Sequence, residues 1–301
     1  MKMKKKAVSG IVVALFLFSV LGIAFNSTAV KGQEGYGVFV QAGMDLVYPL
    51  AVDIDWKNTT AQGTENTDHY TGFLLTGQSG ELNLTAPQTW TEDYIFYVFD
   101  CWYIENDTYP SGYLFPSGQN KVALSIAGET WAVACYIEVL GVDKELTDAF
   151  LTPGHIPVDP DEVPLGTKVY FNMTITVYAF EDVTDVVVKD GIGADLVLYG
   201  DYDPTVSYAK AGKSKTGMGA TIVTWMIGPI AGGADMTLEL DVYTGLNSPS
   251  NGKKHAPQYQ EYTSLGDHDL NSGPVVYFTY DGTQYMLQGP PVTVTVVEVA
   301  D

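Results

Sequence analysis

Cys101 and Cys135 are the two thiols of a 301-residue chain, and a thiol pair can close a disulfide, hold a metal or carry redox chemistry. The Cys-x-x-Cys spacing of a redox pair is absent. Both cysteines sit in apolar, strand-like runs, YVFDCW (97–102) and TWAVACY (130–136), which a Gly- and Pro-bearing hairpin stretch would bring side by side. In an exported protein such a pair is a disulfide, stabilising by about 3–4 kcal/mol through loop closure. Two buried free thiols are the other reading, and the sequence leaves both open.

The remaining chemistry-bearing residues exclude more than they assign. His69, His155, His255 and His268 stand singly, without His-x-His or His-Glu-x-x-His spacing, so zinc chemistry has no support. No Gly-x-Ser-x-Gly elbow, phosphate loop or dinucleotide fingerprint occurs. Glycoside hydrolysis needs two carboxylates across a cleft, and 36 acids offer many pairs while selecting none. Acidic groups at Asp159–Pro160–Asp161–Glu162, at Asp201 and Asp203, and at Asp267, Asp269 and Asn271 invite a calcium reading. The last opens like an EF-hand loop but departs from it: Gly273 comes one place late, and Phe278 stands where the bidentate glutamate belongs. A solvated acidic loop is the plainer reading, and no other cofactor is indicated. Asn-x-Ser/Thr triplets at Asn58, Asn83, Asn106 and Asn172 are candidate glycan acceptors: Asn83 and Asn172 fall on the polar phase of strands, Asn58 and Asn106 in turn-like sequence. Twenty tyrosines and five tryptophans could build a sugar platform, but they also favour strands and sandwich cores.

The elements that would position these residues are strands. In VPLGTKVYFNMTITVYAFEDVTDVVV (163–188), Val169, Phe171, Met173, Ile175 and Val177 alternate with polar or amphipathic neighbours, the period of two of a half-buried strand. In TIVTWMIGPIAGGADMTLELDV (221–242), alternation around Trp225 is broken by Gly228–Pro229 and Gly232–Gly233 and resumes through Leu238 and Leu240, predicting strand, turn, strand. PPVTVTVVEV (290–299) predicts a long final strand, which either completes its own sheet or is exchanged with a neighbouring subunit. Towards the N-terminus, strands are expected at Gly37–Gln41, Leu50–Trp56, Glu81–Leu84, Tyr94–Ile104, Lys121–Ile126 and Thr130–Leu140, separated by Gly and Pro turn signals. Pro153, Pro157, Pro160 and Pro164 predict a stiff linker.

Four of these runs carry a resemblance. Gly166–Val169, TITV (174–177), DVVVKDGIGADLVL (185–198) and the Trp-x-Ile-Gly-x-Ile-x-x-Gly core beginning at Trp225 resemble the "conserved repeat" domain, domain of unknown function eleven, of archaeal and bacterial surface proteins. The resemblance covers about residues 163–301. It implies an immunoglobulin-like sandwich at a cell surface, and no catalytic residues. The family's Asn-Thr-Gly turn after the TITV strand is replaced here by Ala179–Phe180–Glu181–Asp182, so that hairpin is expected to differ. Residues 94–140 resemble small β repeats of the internalin-B type, which implies a further extracellular spacer or adhesive module.

Export is read from the N-terminus. MKMKKK precedes nineteen largely apolar residues, AVSGIVVALFLFSVLGIAF (7–25), and a polar exit with small residues at Ala29 and Gly32. Three readings stand: a cleaved signal, an uncleaved anchor, since about 17–25 apolar residues suffice to span, or a pilin-type leader cut after Lys6. Removing residues 1–32 leaves ten lysines, no arginine and 36 acids, a formal charge of −26. Such a surface excludes nucleic acid and anionic lipid as partners, because phosphate binding needs cationic side chains. A membrane would be met only through the N-terminal segment if it is uncleaved.

The sequence therefore predicts an all-β chain: an export helix (1–32), an N-terminal β-sandwich-like domain (33–145), a Pro-rich linker (146–164) and an immunoglobulin-like domain (165–301). The expected core of the latter is Phe171, Ile175, Val186, Val188, Trp225, Leu238, Leu240, Val292 and Val294. The role that fits is structural or adhesive, without catalysis, with other envelope or extracellular proteins or glycans as partners. A carbohydrate-binding exoprotein and a filament subunit built by strand exchange are the alternatives. Burial of Trp56, Trp102 and Trp131 would count against the former.

Overall fold

The computed structural model of the chain describes residues 35–44, 48–68, 72–151, 156–193, 196–199, 206–210, 221–246, 258–259, 262, 264–271 and 273–298. The expected export helix lies outside these residues, as do His69, His155, His255, Asp201 and Asp203. The described residues are strands and turns with one 3-10 turn, Pro160–Glu162, and the all-β class holds. They fall into two compact units, residues 1–92 with 96–138, and residues 93–95 with 139–301.

The N-terminal unit is a sandwich of two sheets. One contains Tyr36–Met44 between Phe73–Gln78 and the first part of Thr130–Leu151, with Ile95–Glu105 on the far side of the latter. Tyr36–Met44 runs parallel to Thr130–Leu151, Val38 opposite Thr130 and Gly43 opposite Cys135. The other orders Lys121–Ile126, Gly80–Thr85, Asp53–Lys57 and Gln62–Asn66, all antiparallel. Its strands bury one face, as the sequence KVALSI shows: Val122, Leu124 and Ile126 point in while Lys121, Ala123 and Ser125 point out. Ile95–Glu105 differs: Phe96 to Phe99 and Cys101 to Ile104 are all buried, as expected of a strand covered on both faces.

The C-terminal unit packs two sheets as a sandwich. In one, Val169–Ala179 lies between Thr130–Leu151 and Ala234–Leu246, whose other edge takes Leu196–Tyr199. In the other, Val183–Ile192 pairs with Thr221–Ile230 and Val275–Tyr280, and Val292–Val297 pairs with Gly266–Asn271 and Val163–Pro164. All nine expected core residues are buried, from Phe171, Ile175, Val186 and Leu240 at 0% exposure to Leu238 at 8%. The final strand has a partner on each side, so it completes its own sheet.

Three expectations are corrected here. Thr130–Leu151 runs eleven residues beyond the expected Leu140 and pairs with Val169–Ala179 through Leu151, so residues 146–151 are strand and the units divide between 138 and 139. Of the expected linker's prolines, Pro153 lies outside the described residues, Pro157 pairs with Phe150, and Pro160 opens the 3-10 turn capped by Asp159. The segments on either side of 180–182 and of 231–233 are not hairpins, because each connection passes from one sheet to the other. The two crossings clasp one another: Gly232 N donates to Asp182 Oδ1 at 2.8 Å, and Gly233 N donates to the Ala179 carbonyl at 2.7 Å. Gly228–Pro229 does not break the chain; Gly228, at φ +85, sits in a bulge of Thr221–Ile230 opposite Val186.

Candidate functional site

The two cysteines are neighbours. Their strands, Ile95–Glu105 and Thr130–Leu151, are paired, with Cys101 buried and Cys135 half-buried. The hydrogen bond with Cys135 and burial both push the Cys101 thiol well above its ordinary range, with Asp100 adding to the effect. A thiol held protonated in this way is a poor nucleophile.

The sequons divide by local structure. Asn83 is exposed on Gly80–Thr85. Asn58 and Asn106 close turns: Asn58 Oδ1 accepts from Thr60 N and Ala61 N while its Nδ2 donates to Gln78 Oε1 at 2.8 Å, and Asn106 Oδ1 accepts from Thr108 N and Tyr109 N. Asn172, expected on an open polar face, is half-buried in the middle of a three-stranded row between Asp148 and Asp241. Its Oδ1 is enclosed without a hydrogen-bond partner among the described residues.

The calcium candidates lie on a strand, not in a loop. Asp267, Asp269 and Asn271 belong to Gly266–Asn271, which is paired with Val292–Val297, and Asp267 Oδ1 accepts from Thr295 Oγ1 at 2.9 Å. An extended backbone cannot wrap its alternate residues around one ion as the EF-hand loop does. Among the described residues, no group of three His, Cys, Asp or Glu side chains is placed to hold a metal.

Of Trp56, Trp102 and Trp131, Trp102 is fully buried, whereas Trp56 and Trp131 are half-buried; Trp56 lies over Gly63, where a Cβ would come within 2.8 Å of its Nε1, and Trp131 meets Phe39 edge-on, ring centroids 5.9 Å apart. Tyr36, Tyr94, Tyr113, Tyr178 and Phe180 are exposed; of these, Tyr113 stacks on the half-buried Tyr109 at 5.0 Å, and Phe115 stands edge-on to both.

The site that sequence reading missed is a buried ion pair. Lys144 Nζ lies 2.5 Å from Asp190 Oδ2, with the side chains 0% and 1% exposed. Lys144 stands on the inward phase of its strand, in line with Leu140 and Val142, and opposite Ile175. Asp190 stands on the inward phase of Val183–Ile192, in line with Val186, Val188 and Ile192, and opposite Val223. The pair thus joins the two sheets of the C-terminal sandwich through an apolar interior. Desolvation pulls the Lys144 ammonium below its ordinary range, with Asp190 opposing. The signal was legible as charge on the buried phase of alternation, in VLGVDKEL (139–146) and DVVVKDGI (185–192). The expected strand ends at Leu140, so Lys144 falls outside the alternation from which buried positions are read.

No known family profile matches the chain, and no curated protein matches it. Among solved structures, it aligns over 87% of its length with 65% of the full-length major pilin SpaD of Corynebacterium diphtheriae, at 10% identity and a TM-score of 0.40. It aligns over 83% of its length with 49% of the RrgB pilus protein of Streptococcus pneumoniae, at 10% identity and a TM-score of 0.27. A cohesin module from a Clostridium perfringens family 33 glycoside hydrolase aligns over 98% of the module and 52% of this chain, at 12% identity and a TM-score of 0.27. The chain spans less than two thirds of either pilus protein, and scores of this size assign no family.

Proposed function

We propose that the chain is an exported component of the cell envelope with a structural or adhesive role and no catalytic activity, its partners being other envelope or extracellular proteins or glycans. One observation carries this reading: the side chains able to do chemistry are used to hold strands and turns. Asp159 caps a turn, Asn58 and Asn106 close turns, Asp267 ties two strands, and Lys144–Asp190 bridges two sheets. The basic and apolar segment at residues 1–25, the absence of arginine and the mature charge of −26 support deployment outside the cell. The resemblance of residues 163–301 to the surface-protein repeat agrees with it. A sugar platform at Tyr109 and Tyr113 is not favoured, since the faces of these rings are turned to each other.

The test is intact mass of the native protein from medium, envelope and cytosol, with and without reduction. The expected species starts near Gln33, is found in medium or envelope, and carries glycan increments if any of Asn58, Asn83 or Asn106 is modified. A mass lower by two hydrogens before reduction would show the Cys101–Cys135 disulfide. A full-length species confined to the cytosol would overturn the reading.

A further inference from the structure

We propose that Lys144 and Asp190 condense into an intramolecular amide, a covalent strut between the two sheets of the C-terminal sandwich.

The geometry comes first. Nζ stands in direct contact with Oδ2, at 2.5 Å, with both side chains shut away from water. The two groups come from strands in different sheets, each fixed by its ladder: Lys144 opposite Ile175 and Asp190 opposite Val223. Reactants held in contact by a rigid frame gain effective molarities on the order of 10⁵–10⁸ M.

The surroundings supply the driving force. Two ions in an apolar interior carry a desolvation cost that their attraction repays only in part. Moving one proton from Nζ to the carboxylate gives a neutral amine and a neutral acid, the reactive forms for condensation. The lowering of the Lys144 ammonium by burial works in that direction. Condensation is unfavourable in water because water is the product in vast excess; in a dry interior the released molecule leaves for bulk solvent and the balance moves toward the amide.

The step closes on itself. The Nζ lone pair forms a bond to Asp190 Cγ, and the bond from Cγ to one carboxyl oxygen breaks. That oxygen departs as hydroxyl with its own proton and takes one of the two amine protons, leaving as water. The remaining proton stays on the amide nitrogen. Nothing is oxidised or reduced. The product replaces two buried charges by one neutral amide and closes a covalent loop over residues 144–190.

The chain's ten lysines beyond residue 32, and its lack of arginine, make the test direct. The full chain is purified folded, denatured, reduced and digested with trypsin. Acylation of Lys144 blocks cleavage there. The expected product is therefore a branched species in which residues 122–168 are joined to residues 190–210, lighter by one water than the sum of the two. Fragmentation places the junction at Lys144 and Asp190. In Lys144→Arg and Asp190→Ala, residues 190–210 are recovered unjoined, whether or not these variants fold well. Quantitative recovery of linear 122–144, 145–168 and 190–210 from the folded wild-type chain would overturn the proposal and leave a buried ion pair.

Discussion

Asp241 lies on the outer face of Ala234–Leu246, opposite Asn172 and two residues from Glu239. Partial burial first, and the Glu239 charge second, raise its carboxyl above the ordinary range. The folded state therefore holds this proton more tightly than the unfolded chain. Stability falls as pH rises from the unfolded pKa, about 3.9, through the raised folded value, and the penalty is fully present at neutral pH. Asp241→Asn should raise the melting temperature at pH 7, and the gain should vanish near pH 3, where the wild-type carboxyl is protonated in both states. A variant gaining equally at both pH values would show that charge is not the cause. The Lys144–Asp190 pair obeys different physics: if it stays ionic, loss of one partner strands a buried charge at a cost of about 3–5 kcal/mol.

At the scale of elements, the sheet crossings at 180–182 and 231–233 decide the topology of the C-terminal sandwich, and two glycines serve them for different reasons. At Gly232 a Cβ would stand 3.0 Å from the Phe180 carbonyl oxygen and 3.2 Å from the Glu181 backbone, so any side chain pushes the crossings apart. At Gly233 there is open space, but φ is +83, which costs a non-glycine residue about 1–2 kcal/mol. Alanine at either position should destabilise by about 1–3 kcal/mol. Asparagine, which tolerates the left-handed region, should recover part of the loss at 233 and none at 232; equal behaviour of the two asparagine variants in denaturant melts would refute this division. These crossings also mark how far the sequence could be read. Alternation at 169–177, 121–126 and 292–296 placed strands and their buried faces, because period two is written residue by residue. Partnership between strands was not, because the same turn residues that close a hairpin also close a crossing. Thr130–Leu151 was cut short because Asp143, Lys144 and Glu145 look like loop composition, although Asp143 and Glu145 face out and Lys144 faces in against Asp190. Asn172, on the polar phase of its strand, is half-buried for a related reason: the polar phase of a central strand is crowded by the strands on either side of it.

For the whole molecule the dominant fact is unbalanced charge. On the outer face of the first sheet of the C-terminal unit, Asp143, Glu145 and Asp148 run down one strand and Asp235, Glu239 and Asp241 down another. Between them stands a neutral column of Asn172, Thr174 and Thr176. No lysine interrupts these columns, and the one lysine of Val139–Leu151 is turned inward to Asp190. Repulsion among exposed acids opposes compaction and acts over the Debye length, about 30 Å at 0.01 M salt and about 10 Å at 0.1 M. Added sodium chloride should therefore raise the melting temperature steeply between those two concentrations and little above them, where neighbouring columns are already screened from each other. The buried pair, shut off from counter-ions, should contribute nothing to this slope, so Lys144→Arg should keep the wild-type salt dependence while changing absolute stability. A melting temperature indifferent to salt would mean that the acids are neutralised by bound cations, which a chelator titration at fixed ionic strength would then reveal as a loss of stability. A chain built this way is most stable in a saline medium, where its acids no longer strain its sheets.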